Sequence, residues 1–303
     1  MLDRILVPLD GSLTAEAILP HVRRLLRRHD SEVILLSVAN PPPVEAQVAI
    51  VEASLSASRE YIMGVKARLE QQGVRVKAEA RVGPPAGVIL DVAEERDVTL
   101  IAMATHGRTG LKRALFGSVA EHVLRKSPVP VLAVRPFWTY ELLPPGRTET
   151  QPFKGILVPT DLSAASAGVL APAVELARLF GARLVFLNVL DPSGKGGDEG
   201  LAQARLKEFA AKARGVETAT VVDQGEPVKA ILDNARFHGC DLIAMTTHGR
   251  SGVSRLVVGS VTEQVLRDAT LPLLVVRAEK VKKVKKVGKA KKPVAKAAGK
   301  GKR

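Results

Sequence analysis

Cysteine is almost absent from this chain. Cys240 is the only one in 303 residues, so no intrachain disulfide can form and a reducing compartment is expected. Aromatic residues make up only 3%. Val, Leu, Ile and Ala must then fill the core, as parallel sheets covered by helices require. No apolar run approaches the roughly 20 residues needed to span a bilayer. The N-terminus, MLDRILVPLDGS, has an acid at position 3 and runs directly into an apolar strand, so neither a signal peptide nor a transit peptide is expected, and the expected location is cytoplasmic with no membrane partner. Acidic residues are missing from Lys280 to Arg303, where eleven Lys and one Arg stand. Setting those twelve aside from the 45 basic residues leaves 33 against 31 acidic, so the net +14 belongs to a tail and the rest of the chain is nearly neutral.

What the chain does have is duplication. THGRTGLKRALFGSVAEHVLR (105 to 125) returns as THGRSGVSRLVVGSVTEQVLR (247 to 267), identical at 13 of 21 positions. ILVPLDGS (5 to 12) answers ILVPTDLS (156 to 163), and VILLSV (33 to 38) answers LVFLNV (184 to 189), both at an offset of 151. Beyond the second strand the offset falls to 142, as Gly107 to Gly249 and Gly117 to Gly259 show, so the second copy lacks nine residues there.

Within each copy short apolar runs alternate with longer amphipathic stretches, the pattern of parallel strands joined by crossover helices. The first copy predicts strands at 4–9, 32–38, 74–81, 98–103 and 129–135, with helices near 14–29, 46–72, 85–96 and 118–126. The second predicts strands near 155–160, 182–189, 216–222, 241–245 and 272–277, and a shortened second helix at about 199–213. The expected architecture is α/β, two tandem Rossmann-like domains, each a five-stranded parallel sheet flanked by helices. Their boundaries are 1–136 and 154–278, with a Pro-rich linker at 137–153 and a disordered Lys-rich tail at 279–303.

Ligands of open parallel sheets bind beyond the carboxyl ends of the strands, where strand order reverses. Three strand ends of each copy gather there: the first at Asp10 or Asp161, the second at Val38 or Val189, the fourth at Met103 or Met245. The fourth opens into the repeated loop, which carries Gly107, Arg108 and Gly117 before Ser118 and Val119, or Gly249, Arg250 and Gly259 before Ser260 and Val261. A glycine-punctuated turn feeding a helix start suits phosphate, because missing Cβ atoms let backbone N–H groups approach and the helix start offers unpaired donors with partial positive charge. Arg108 could add a charge-assisted contact. An acid at the first strand tip would instead accept from a ribose hydroxyl or an adenine amino group, with Val38 against the base.

These residues resemble the universal stress protein family in its tandem two-domain form, whose nucleotide-binding members carry a G-x-x-G-x9-G-S/T signature. The match runs from Ala104 through Gly107 and nine residues to Gly117-Ser118, and from Thr246 through Gly249 and nine residues to Gly259-Ser260. The first glycine is Ala104 in one copy and Thr246 in the other. The resemblance implies the fold known as adenine nucleotide α-hydrolase-like and ATP, AMP or ADP as ligand, which could carry Mg2+. It implies Asp10 and Asp161 at the adenosine, Val38 and Val189 at the base, and Gly107, Arg108, Gly117, Ser118 and their counterparts at the phosphates. It also implies that the fifth strands, VPVLAV and LPLLVV, pair as a pseudo-dimer within one chain, with homodimers of whole chains as a further option.

Competing readings attach to the same residues. Ser118 with Glu121, and Ser260 with Glu263, read as capping boxes. Asp10 also reads as a cap for the next helix, and His106 and His248 as loop residues rather than bases. SGKGGD lacks the P-loop frame, GRTG lacks a dinucleotide fingerprint, and His238 with Cys240 cannot complete a zinc site. No paired carboxylates accompany the loop, so efficient ATP turnover is not expected. The function expected is a stress-response regulator that binds ATP or AMP, set against a nucleotide-independent scaffold and a slow ATP hydrolase. The tail is expected to bind a polyanion such as DNA, RNA or polyphosphate through backbone phosphates, or to act only as a solvated extension.

Overall fold

The computed structural model describes residues 2–26, 31–40, 48–106, 117–136, 151–191, 198–247 and 258–278. The first repeat runs β1 (Arg4–Pro8), α1 (Leu13–Glu16), α2 (Leu19–Leu26), β2 (Glu32–Ala39), α3 (Val48–Glu70), β3 (Val76–Val82), α4 (Pro85–Glu95), β4 (Leu100–Ala104), α5 (Ser118–Lys126) and β5 (Val131–Val134). The second runs β6 (Gly155–Pro159), a 3-10 turn (Ser166–Val169), α6 (Leu170–Phe180), β7 (Arg183–Leu190), α7 (Glu199–Ala210), β8 (Thr218–Gln224), α8 (Pro227–Phe237), β9 (Leu242–Thr246), α9 (Ser260–Asp268) and β10 (Leu273–Val276). The tail and most of the linker lie outside the described residues.

One expected element divides. The first helix breaks into α1 and α2, and Pro20 sits at the second position of α2, where its missing N–H belongs to an unpaired first turn and costs nothing. Inside a single helix the same ring would strike the preceding turn. The nine-residue difference falls where the offsets place it: α3 has 23 residues and α7 has 12.

Strand order is β3-β2-β1-β4-β5-β10-β9-β6-β7-β8, one ten-stranded sheet. Within each repeat all pairings are parallel, and β1 lies between β2 and β4 while β6 lies between β7 and β9. At β1 and β6 the chain therefore turns to opposite sides of the sheet, and these are the two switch points. Alternation along the strands splits the core: Ile5, Val7, Leu35 and Ala102 pack on one face under α2 and α3, and Leu6, Leu36, Ile101 and Met103 on the other under α4 and α5. Each of these two clusters continues into the second repeat.

The repeats meet at β5 and β10, which pair antiparallel with Leu132 opposite Leu274. Both strands would otherwise be open apolar edges. Contacts cross the seam in both directions: the Arg135 guanidinium donates to the Arg267 carbonyl and Arg277 donates to that of Lys126 at 3.3 Å. Gly155, the first residue of β6, is required by close approach: a Cβ there would lie 3.2 Å from the Cα of Cys240 and 3.3 Å from the carbonyl oxygen of Gly239.

Candidate functional site

At the carboxyl end of β1 the chain turns sharply at Gly11, with φ of +87°. Asp10 anchors the turn: its Oδ1 accepts from the Ser12 amide at 3.0 Å and from the Ser12 hydroxyl at 2.5 Å. Ser12, not Asp10, is the N-cap of α1, accepting from the Ala15 amide at 3.1 Å. The helix-cap reading of Asp10 is thereby corrected, because the turn needs a residue between strand tip and cap. In the second repeat Asp161 accepts from the Ser163 amide at 3.0 Å. The position of Gly11 is taken there by Leu162, which holds φ of +61° and donates its amide to Thr160 Oγ1 at 3.0 Å. A branched residue in the left-handed region costs on the order of 1 kcal/mol, so this strand tip keeps its shape against a local penalty.

The repeated loop starts and ends at one point. The Gly117 amide donates to the Thr105 carbonyl at 2.9 Å, and Gly259 to that of Thr247 at 2.6 Å. A Cβ on Gly117 would stand 3.4 Å from the Thr105 carbonyl oxygen. Gly117 is also the N-cap of α5, with extended backbone, and Ser118 is the first helical residue; Gly259 and Ser260 repeat the arrangement at α9. The capping-box expectation is thus corrected in both copies, since the cap position falls one residue earlier, on glycine, which has no side chain to offer the first turn. Elsewhere α1, α7 and α8 are capped by the side chains of Ser12, Asp198 and Glu226. α5 and α9 lack that device, as does α4 with Pro84 at its cap, and the first amides of α5 and α9 keep the partial positive charge an anion would meet.

Around each strand end lies a cavity. The first, of about 390 Å³, has Asp10 and Val38 on one side, Met103 and Ala104 below, and Gly117, Ser118 and Val119 opposite. The second, of about 530 Å³, brings Asp161 and Val189 together with Met245 and Thr246, and faces them with Gly259, Ser260 and Val261. Both volumes fall in the range of small-ligand pockets. Gly107, Arg108, Gly249 and Arg250 lie outside the described residues, as does His248. Thr246 turns its γ-methyl toward Gly168, whose added Cβ would be 3.8 Å away. In the first repeat the same two positions hold Ala104 and Ala17, so bulk gained on the strand is matched by bulk lost on the turn above it.

Sequence reasoning missed one wall of each cavity. Pro85 and Ile89 of α4 close the first, and Pro227 and Ile231 of α8 close the second. The signal was available, because each of these helices starts two or three residues after a parallel strand and so begins at the same edge. His106 also lines the first cavity, its Nδ1 3.0 Å from the Thr105 hydroxyl. A smaller cavity of about 270 Å³ shares Asp10 and Val38 with the first and is walled by Ser54, Ser58 and Tyr61 of α3. The Tyr61 hydroxyl donates to Glu16 at 3.0 Å, and burial, then the Glu16 charge, push its ionisation above the ordinary tyrosine range. It therefore acts as a fixed donor. Among the described residues no group of three or more His, Cys, Asp or Glu side chains could hold a metal ion, and no helix is long and apolar enough to cross a membrane.

The geometry duplicated at β1 and β6 can be set beside known proteins. Residues 1–135 and 152–277 each match the model of the universal stress protein family. The chain belongs to that family. Universal stress protein MJ0531 of Methanocaldococcus jannaschii is 34% identical over 138 residues, 44% of this chain and 81% of its own length. A universal stress protein of Mycolicibacterium smegmatis is similar along both repeats, at 24% identity over 295 residues, 90% of this chain and 96% of that one. The crystal structure of a universal stress protein from Archaeoglobus fulgidus superposes with a TM-score of 0.73 at 23% identity, covering 92% of this chain and all of that chain. The universal stress protein fold is therefore present in tandem here, as a parallel α/β sheet flanked by helices.

Proposed function

We propose that this universal stress protein is a regulator that binds an adenine nucleotide, ATP or AMP, in its strand-end crevices. The observation that carries the reading is the pair of glycine-capped helix starts, each facing an aspartate across a cavity of ligand size. A nucleotide has an anionic end and a donor-rich end. The amides of Ser118 and Val119, with Arg108 from the loop, would meet the phosphates, and Asp10 would accept from the ribose or the adenine amino group. Val38 would pack on the base, and Met103 with Ala104 would form the floor. Asp161, Val189, Met245, Thr246, Ser260, Val261 and Arg250 would do the same in the second crevice, with Mg2+ arriving on the phosphates.

In this reading two domains, 1–136 and 154–278, form a pseudo-dimer through β5 and β10, and the tail from 279 offers a separate electrostatic contact to a polyanion. Native mass spectrometry of the purified chain, followed by titration with ATP, tests the reading. Nucleotide retained or bound with micromolar affinity supports it. A chain that binds neither ATP nor AMP at millimolar concentration contradicts it and leaves the nucleotide-independent scaffold.

A further inference from the structure

The two crevices are built from equivalent positions, and the glycines, the arginine and the helix start that open onto them are the same in sequence. Among the described residues, what distinguishes the crevices lies in the remaining wall positions. Where the first crevice has Leu9 and Ala15, the second has Thr160 and Ser166, whose hydroxyls lie 2.9 Å apart and buried. Ala120 is replaced by Thr262, whose hydroxyl donates to the Thr246 carbonyl at 2.9 Å. These hydroxyls bond within the protein, so they stiffen the second floor without changing its charge.

Among these described wall positions one replacement does change the charge. Asn40 follows β2 at the mouth of the first crevice, and its equivalent, following β7 at the mouth of the second, is Asp191; both are exposed. The first crevice thus has a carboxylate at one strand tip and an amide at the next, while the second has carboxylates at both, Asp161 and Asp191. An amide both donates and accepts, whereas a carboxylate only accepts and repels a polyanion.

On the reading that these crevices hold adenine nucleotides, we infer that they divide ligands by charge. The first takes the triphosphate, and the second favours the nucleoside or its monophosphate, which brings less negative charge beside Asp161 and Asp191. One added carboxylate at about 10 Å from metal-free ATP, of charge near −4, amounts to about tenfold in affinity at low ionic strength.

Calorimetric titration of the full chain at low salt and without Mg2+, with ATP and, separately, with adenosine, tests this in the wild type, in Asp191→Asn and in Asn40→Asp. Both substitutions sit at exposed strand ends, and thermal melts confirm that the variants fold. The expected result is two classes of ATP site separated by about tenfold or more, a gap that Asp191→Asn closes. Asn40→Asp weakens the tighter site, and adenosine binding moves by less than about twofold in either variant, because a neutral ligand feels no net charge. Equal ATP sites in the wild type, or a gap that Asp191→Asn leaves intact, overturns the division while the nucleotide reading stands. If neither ligand binds, the nucleotide reading itself fails and takes the division with it.

Discussion

Arg24 of α2 reaches into the second repeat and meets Asp241, 217 positions later, with 3.0 Å between Nη2 and Oδ2 and both side chains buried. The Arg24 Nε donates to the Gln151 carbonyl at 2.9 Å, and the guanidinium lies 4.0 Å from the centroid of the Phe153 ring. Asp241 also accepts from the backbone amides of Lys154 and Gly155, which fixes the start of β6. The arrangement is one-sided: the equivalent of Asp241 is Thr99, whose hydroxyl accepts from the Arg4 amide at 3.1 Å, and the equivalent of Arg24 is the exposed Glu175. The clasp therefore joins repeat one to repeat two once, and its mirror position, Glu175 toward Thr99, does not repeat it.

Removing one member leaves the other charge buried. Arg24→Leu is expected to cost about 3–5 kcal/mol in urea unfolding. Adding Asp241→Thr, the residue type that the first repeat uses, should recover part of the loss, since a hydroxyl still accepts from the β6 amide and no buried charge remains. A double variant no more stable than Arg24→Leu alone would show that the pair is not the source.

His21, one turn before Arg24, has Nδ1 enclosed without a hydrogen-bond partner among the described residues. Burial first, then the neighbouring Arg24 charge, lower its pKa from 6.5 to about 3. The unfolded chain takes up this proton near pH 6.5 and the folded chain resists it, so the unfolded state binds more protons between those values. Stability should then be full above about pH 6.5 and fall with acidification toward pH 3, by at most about 1.4 kcal/mol per pH unit. Melting temperature followed against pH should show this slope in the wild type and a shallower one in His21→Gln; equal slopes would assign the acid sensitivity to other groups.

Gly155→Ala places a methyl against the backbone of Gly239 and Cys240, which has no rotamer through which to yield. A loss of about 1–3 kcal/mol is expected on chemical denaturation. The same substitution at Gly64 on α3, where an added Cβ meets nothing within 4 Å, should stabilise by about 0.5–1 kcal/mol and serves as the control.

Deleting residues 280–303 removes twelve positive charges and no acidic one. Retention of DNA at low salt should disappear, with nucleotide titrations unchanged. In the full chain, log affinity should fall steeply and linearly with log salt. A full-length chain that shows no salt-sensitive DNA binding would end the polyanion assignment.

Much of this molecule was legible because it is written twice. Apolar runs repeated at two constant offsets place every strand to within about two residues, and the spacing from Ala104 to Ser118 marks the strand end and the helix start that line one cavity. The errors fell where a local pattern has two solutions. Ser118 with Glu121 fits a capping box one residue out of register, and only the extended backbone of Gly117 decides it. Asp10 fits a cap until Ser12 is seen to take that position. Contacts between distant segments left no trace in any window: Arg24 with Asp241 is one, and the exchange of Ala17 and Ala104 for Gly168 and Thr246 is another.

The account stands on the amides that open α5 and α9. A crystal structure of the chain grown with excess ATP measures them directly. The account predicts phosphate oxygens within about 3 Å of the Ser118 and Val119 amides, with the adenosine end at Asp10. Both crevices empty, with those amides bonded to groups of the protein itself, would contradict it.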